Sequence, residues 1–399
     1  MKTALCVVVS IVSLIGIAKA DCTVSATPDE MHFVCEYLKR ENIPLPHDCL
    51  GWDSPATVGV LPTDDGCVPP PTDQRPPAAA FGFYFTSYNK NDMANGANSG
   101  RLDAYRSQIP TATHAIAAVH VRVPGGTTSN TVVRSDISED PRHLGPWFAA
   151  ARQRGLRTGL IVILFSDDSW GWGGDWKPSS PAAALASYYQ AVRPYLQAAQ
   201  AAGAEFVILC DEWSNLYINR NAVPAFQALF SSARRDFSGK LTLNVNKMEE
   251  TAILPEIVAQ TDVVGITAYV PLSRSPNPST AEMVESLHAP REGAPRGYTA
   301  LLSDMADKWG KKLLLTTGYK STNGAAINPA DQPDAGVDYD IQARAWQAFI
   351  EGTRGGVGEK LYGILGWRLW PGTEDDDGPT GFTVINKPAA KVIADNWKN

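Results

Sequence analysis

From residue 80 to the end of the chain, short β-rich apolar runs alternate with helical stretches, and this alternation is the strongest constraint on the fold. The runs predict eight strands, at 80–88, 113–123, 157–165, 205–212, 240–246, 262–270, 312–319 and 361–370. Helices are predicted near 99–107, 142–154, 181–202, 222–236, 252–259, 296–309, 338–351 and 387–397. This pattern predicts an α/β protein with a (β/α)8 TIM barrel over residues 80–399. An open doubly wound sheet is the alternative, but no strand is followed by a glycine-rich phosphate loop.

The residues before the barrel differ in composition and divide into three predicted segments. Residues 1–20 carry Lys2, a mostly apolar run and a small-residue end, which is typical of a cleaved secretory signal peptide. The apolar run is too short for a membrane span. Residues 21–67 form a cysteine-rich module, and residues 68–79 (VPPPTDQRPPAA) form a proline-rich linker. We therefore predict a secreted, extracellular protein.

The cysteine pattern fits that location. Cys22, Cys35, Cys49 and Cys67 crowd the predicted module, and in a secreted chain four such cysteines predict two disulfides with three possible pairings. The fifth cysteine of the mature chain, Cys210, lies inside a predicted strand, where a cysteine is most often a small buried apolar residue.

Charge limits the partners. The full chain carries −7, and removing Lys2 and Lys19 with the signal peptide changes this to −9. The sequence has no basic run, so we predict neither nucleic acid nor, after signal cleavage, a membrane as a partner. Nor does its inventory of strand-end residues predict a metal or a cofactor. We predict a monomer.

The fourth predicted strand carries the strongest functional signal. The run FVILCDEWSNL at 206–216 passes from five apolar residues directly to Asp211, Glu212 and Trp213. Charged side chains at the carboxyl end of a buried parallel strand are not core residues, because this end of a barrel is where ligands bind. A carboxyl group there, beside a tryptophan, is suited to act as a general acid.

The other strand ends contribute mainly aromatic, amide and hydroxyl side chains. Flat aromatic faces suit the C–H face of a sugar ring, while amides and carboxylates suit its hydroxyls, so we predict an oligosaccharide or polysaccharide ligand. A glycine-rich loop after strand three holds three tryptophans that such a loop would bury poorly. The predicted substrate-binding residues are Tyr84, Trp170, Trp172, Trp176, Trp213, Asn246, Tyr269, Tyr319, Trp367 and Trp370.

Several motifs in order resemble glycoside hydrolase family 113, the β-1,4-mannanase-type barrels. They are FVILCDEWSNL, DVVGITAYVPL, LLLTTGYKS, DYDIQARAWQAF and the C-terminal GILGWRLWPG…GFTVINKPA, and the resemblance covers roughly residues 80–397. It implies a TIM barrel and an O-glycosyl hydrolase in which the acid/base glutamate closes strand four, at Glu212. The family's nucleophile is a glutamate in a strand-seven motif like T-E-x-G-Y-x-S. Aligning Gly318-Tyr319-Lys320-Ser321 with it puts Thr316 at that position.

This departure leaves three hypotheses open. Retaining hydrolysis needs two carboxyl groups, and a threonine without an activating base is a poor nucleophile. First, the chain is an active glycosidase on a β-linked polysaccharide, whose second carboxylate comes from an inverting base (Asp167, Asp168 or Glu250). Within this hypothesis, the Asp211-Glu212 pair resembles the substrate-assisted N-acetylhexosaminidases, although a distortion of the strand end would be needed to turn both side chains to one side. Second, the barrel is inactive and binds glycan. Third, it is a cell-wall or matrix component that uses the barrel as a scaffold.

Overall fold

The computed structural model describes residues 79–166, 171–246, 252–329, 336–372 and 377–397. The predicted signal peptide, the cysteine module with its four cysteines and nearly all of the linker lie outside these ranges. The same is true of Trp170 and of the proposed inverting bases. None of the helices in the described part of the chain is long and apolar enough to cross a membrane.

Eight parallel strands close into a barrel in chain order, which confirms the predicted TIM barrel. The strands are β1 (Ala80–Thr86), β2 (His114–Arg122), β3 (Arg157–Phe165), β4 (Phe206–Asp211), β5 (Lys240–Asn246), β6 (Val264–Thr267), β7 (Leu313–Thr317) and β8 (Leu361–Leu369). Parallel pairing of β1 with β8 completes the ring. The predicted strand positions hold, but β6 is four residues long rather than nine.

Helices surround the barrel on the outside. They are α1 (Asp92–Gly96), α2 (Arg101–Gln108), α3 (Pro141–Gln153), α4 (Pro181–Ala201), α5 (Ser214–Tyr217), α6 (Val223–Asp236), α7 (Pro255–Val258), α8 (Thr280–His288), α9 (Tyr298–Trp309), α10 (Tyr339–Val357) and α11 (Pro388–Asn396). None of the helices predicted from the sequence covers α8. A capping box marks its start, since Ser279 and Glu282 each accept a hydrogen bond from the other's backbone N–H, and this Ser-x-x-Glu spacing was a readable signal.

The strands bury side chains on both faces, as expected for a barrel inside a ring of helices. Inward-facing residues such as Ile116, Ile161 and Leu314 fill the barrel interior. Outward-facing neighbours such as Ala117, Leu160 and Leu315 join the larger core between the barrel and the helices. The interior is therefore packed with side chains, and polar groups gather where the strands end.

Candidate active site

The end of β4 departs from regular strand alternation. Phe206 and Ile208 point into the barrel, but Leu209 and Cys210 both belong to the outer core. The pairing register with β5 shifts by one residue between Ile208 and Cys210, which marks a β-bulge. Because of this extra residue, Asp211 turns inward and lies opposite Asn244 of β5.

The inward position of Asp211 is fixed by a side-chain contact. The amide Nδ2 of Asn244 donates a hydrogen bond to Oδ1 of Asp211 at 2.9 Å. Burial raises the pKa of Asp211 well above its usual range, and the neighbouring charge of Glu212 raises it further, against a smaller lowering by the Asn244 hydrogen bond. The Asp211 carboxyl therefore keeps its proton in conditions where an exposed aspartate is ionised.

Glu212 follows in a left-handed backbone conformation, with a φ of 57°. Non-glycine residues adopt this region rarely, and such strained residues cluster at functional sites. The backbone N–H of Glu212 still donates to the carbonyl of Asn244 at 3.0 Å, so the turn occurs where the strand ladder stops. The bulge and the turn together provide the strand-end distortion that an Asp-Glu pair on one side of the barrel requires.

Two tyrosines lie close enough to both carboxyl groups for the acids to raise the pKa of their phenols. Tyr84, inside the barrel on β1, and Tyr269, just after β6, each feel the charge of Asp211 and of Glu212, and burial is the main cause of the raised pKa of both phenols. The two acids and the two phenols thus lie around the mouth of the barrel at the carboxyl ends of the strands, where barrel enzymes bind their substrates.

Trp172 holds the Glu212 carboxylate. Its indole Nε1 donates to Oε2 of Glu212 at 2.6 Å, while its side chain remains 42% exposed. The loop is anchored next to it: Trp172 forms a bridge with Phe165 at the end of β3, and Asn215 donates to the carbonyl of Gly174. Gly174 is required here because a Cβ atom would lie 2.5 Å from the indole ring. The indole is thus held in place before any ligand binds.

Three predicted substrate-binding residues are core residues instead. Trp176, Trp213 and Tyr319 are each 0% exposed. Trp176 packs edge-on against Trp213 and donates its indole N–H to the carbonyl of Ser129, while Tyr319 packs against Trp346 in the outer core. These three side chains therefore offer no exposed surface to a sugar, and the prediction that they bind one is corrected. The glycine-rich loop folds back onto the barrel and buries its second described tryptophan.

Thr316, at the position expected for a nucleophile, is engaged elsewhere. It is 2% exposed, and its hydroxyl shares a hydrogen bond of 2.7 Å with the hydroxyl of Tyr84. Tyr84 is itself 1% exposed, so its ring belongs to the barrel interior rather than to an open sugar-binding surface. No carboxylate or imidazole contacts the Thr316 hydroxyl within the described ranges, so this side chain lacks an activating base there.

The remaining predicted contacts lie at the rim of the barrel. Asn246, Tyr269, Trp367 and Trp370 are partly buried at or just beyond the ends of β5, β6 and β8. This placement is compatible with the predicted role in binding, which stays a prediction.

An aromatic cluster that the sequence did not predict surrounds Arg368. Its guanidinium lies 4.9 Å from the ring centre of Trp370 and 5.3 Å from that of Tyr88, and it is ion-paired with Asp377. Tyr88 in turn stacks on His120. These contacts join the ends of β8, β1 and β2.

Comparison with known proteins agrees with this fold. The chain matches no family profile and no curated protein sequence. Its structure is similar to that of a GH113 β-1,4-mannanase, with a TM-score of 0.67 and 16% identity over 80% of this chain and 99% of the other. The GH113 β-mannanase AaManA from Alicyclobacillus acidocaldarius, in complex with ManMIm, gives 0.64 and 16% over 80% and 97%. A β-glucuronidase from Ruminococcus gnavus gives 0.51 and 14% over 81% of this chain and 50% of the other.

At this identity the likeness establishes the fold. The expected structural resemblance to GH113 barrels is confirmed over the barrel domain. The substrates of those enzymes are properties of those enzymes and are not assigned to this chain by the likeness. Within the described ranges, no group of three or more His, Cys, Asp or Glu side chains is arranged to hold a metal ion.

Proposed function

We propose that this chain is a glycoside hydrolase that acts on β-linked polysaccharide, with Glu212 as the general acid/base. The observation that carries the proposal is the hydrogen bond from Trp172 to Glu212, at the carboxyl end of β4 and beside a second acid. A partly buried carboxyl group with one oxygen fixed by an N–H donor is suited to deliver a proton to a glycosidic oxygen. We assign that proton to Oε1, because Oε2 accepts the indole hydrogen bond.

The fold likeness to GH113 mannanases and to a β-glucuronidase supports this reaction class. The exposed indole of Trp172 supplies an aromatic face next to the acid, which suits a sugar ring. From the sequence alone we further propose that the protein is secreted and that its four early cysteines form two disulfides.

The engaged hydroxyl of Thr316 argues against the usual covalent route and favours a second candidate. Asp211 turns inward directly before Glu212, and its carboxyl group resists ionisation. In a substrate-assisted reaction, Glu212 protonates the leaving oxygen. Asp211 orients the acetamido group of the substrate, whose carbonyl oxygen attacks the anomeric carbon. This candidate requires an N-acetylhexosamine glycoside.

Hydrolysis assays on mannan, cellulose oligomers and chitin oligomers separate these candidates, with wild type, Glu212→Gln and Asp211→Asn compared. Glu212→Gln should abolish cleavage of whichever polymer wild type cleaves. If the reaction is substrate-assisted, wild type cleaves the chitin oligomers alone and Asp211→Asn loses nearly as much activity as Glu212→Gln.

Binding without cleavage of any of the three polymers would contradict a hydrolase and support a glycan-binding barrel. Cleavage of plain mannan with net retention, through a covalent intermediate, would point to a second carboxylate outside the described residues. Glu249 and Glu250 are the first residues to substitute in that case.

A further inference from the structure

Asn244 contacts both acids of the site. Its carbonyl accepts the backbone N–H of Glu212 at 3.0 Å, and its side-chain amide donates to Oδ1 of Asp211 at 2.9 Å. One residue of β5 therefore fixes the backbone where β4 turns into its left-handed end, and also fixes the carboxyl group just before that turn.

Gly265 of β6 makes this arrangement possible. Asn244 and Gly265 are register partners in the β5–β6 pair. A Cβ atom on Gly265 would lie 2.0 Å from Oδ1 of Asn244 and 2.5 Å from the carbonyl oxygen of Leu243, so the asparagine amide occupies the space that a side chain would take. The missing side chain of Gly265 therefore leaves room for the Asn244 amide, whose Nδ2 donates to Asp211.

The same amide also interacts with the Tyr84 hydroxyl, which lowers the pKa of that phenol against the larger effect of burial. Oδ1 of Asn244 is buried and accepts no hydrogen bond from the described residues. An amide held with an unsatisfied oxygen would be costly if its purpose were packing, because an apolar residue of similar size avoids that cost. The N–H donor directed at Asp211 therefore accounts for an asparagine at position 244.

The groups around Asp211 leave Asn244 as its neutral hydrogen-bond donor. Apart from Glu212, five titratable groups interact electrostatically with Asp211. They come from β1, β4, α4, α5 and the end of β6, and they are Tyr84, Cys210, Tyr188, Tyr217 and Tyr269. Burial raises the pKa of each of these phenols and of the thiol, so none of them carries charge near neutral pH. The neighbouring Glu212 raises the pKa of Asp211, and the hydrogen bond from Asn244 lowers it.

We propose that Asn244, seated over Gly265, is the positioning residue of Asp211. By donating to Oδ1 it leaves Oδ2 as the oxygen available to a substrate. The role in catalysis rests on the proposed function, whereas the positioning of the carboxyl group does not.

The test follows the titration of the Asp211 carboxyl carbon by NMR in protein labelled with 13C-aspartate, using Asp211→Asn to assign the signal. Asn244→Ala removes the donor, and we expect the midpoint to rise by about 0.5–1 pH unit, the equivalent of one hydrogen bond. Asn244→Asp keeps the size of the side chain but replaces the donor with an acid, and should raise the midpoint further. Asn244→Asp also provides the test if Asn244→Ala does not fold.

Thr242→Val is the matched control. Thr242 lies two residues earlier on β5, is buried, and hydrogen-bonds the carbonyl of Leu243 rather than Asp211. In Thr242→Val the midpoint of the Asp211 titration should equal that of wild type. Unchanged midpoints in both Asn244 variants, or an equal shift in Thr242→Val, would overturn the proposal.

If wild type hydrolyses a glycan, measurement of kcat and KM provides a second test. Asn244→Ala should lower kcat about tenfold with little change in KM, and should add nothing to Asp211→Asn in the double variant. Full additivity would contradict the proposed coupling. If wild type hydrolyses nothing, the proposed function fails while the NMR titration still decides the role of Asn244.

Discussion

The indole N–H of Trp172 donates a 2.6 Å hydrogen bond to Oε2 of Glu212, and this contact joins the loop after β3 to the acid at the end of β4. The two residues are 40 positions apart in the chain. Glu212 thereby receives a fixed orientation from a residue that also offers an exposed aromatic face to the solvent.

Replacing Trp172 with Phe tests this contact. The variant keeps an aromatic ring but loses the N–H that orients the Glu212 carboxyl group, so kcat should fall roughly tenfold or more, the equivalent of about 1.4 kcal/mol of transition-state stabilisation. Oligosaccharide affinity and the melting temperature should change little. Trp309→Phe is the control, since its indole nitrogen has no hydrogen-bond partner among the described residues. Equal kcat in wild type and Trp172→Phe would show that the N–H does not support the reaction.

The two described tryptophans of the loop should respond oppositely to truncation. Trp176→Ala removes a fully buried side chain that packs against Trp213, and should destabilise the fold by about 3–5 kcal/mol. Trp172→Ala removes an exposed one and should weaken sugar binding with little loss of stability. Urea unfolding and isothermal titration with oligosaccharide measure the two effects. A stable Trp176→Ala variant that loses sugar binding would show that Trp176 is a substrate-binding residue.

Asp211 should make stability depend on pH. Its pKa is raised in the folded chain, so its contribution is complete below the unfolded value of about 3.9 and is lost as pH rises through the folded pKa. Asp211→Asn removes this loss, so its stability relative to wild type should increase from pH 5 to pH 9, as measured by urea unfolding. Asp236→Asn is the control. In wild type the pKa of Asp236 is lowered in the folded chain, so the free energy of unfolding of this variant should differ from that of wild type by a constant amount over this range. A constant difference for Asp211→Asn would mean that its carboxyl is already ionised at pH 5.

Thr316→Val tests whether the hydroxyl takes part in the reaction. The substitution keeps the shape but leaves the Tyr84 hydroxyl without its partner, which should cost about 1–3 kcal/mol of stability. We expect hydrolysis to persist, because the described structure provides no base for this hydroxyl. A folded Thr316→Val protein that binds substrate and has no activity would make Thr316 a catalytic residue.

The cysteines can be counted by mass. Cys210 is buried and burial raises its pKa, so it should resist alkylation in the native protein. Unfolding without reductant should then expose one reactive thiol in the mature chain, because the four early cysteines are predicted to be paired. Intact-mass analysis after iodoacetamide treatment gives the number, and more than one adduct would contradict the two disulfides.

The sequence determined the architecture and the end of the barrel that carries the site. Alternating apolar runs and helical stretches fixed eight strands because burial on both faces of a parallel strand leaves a continuous apolar signature, such as that of β3, whose bounds match the prediction. Asp211 and Glu212 could be placed at a strand end because charged groups cannot continue such a run. These signals are local, and a single sequence displays them.

The tertiary structure decided the orientation and the burial of individual side chains. The bulge in β4 turns Asp211 inward, and it becomes visible only in the pairing with β5. Trp176 and Trp172 stand four residues apart in one loop, yet one is buried against Trp213 and the other is exposed. The hydroxyl of Thr316 meets Tyr84 across 232 residues of chain. Contacts of this kind depend on closing the barrel, which brings distant residues together with no trace in the local pattern.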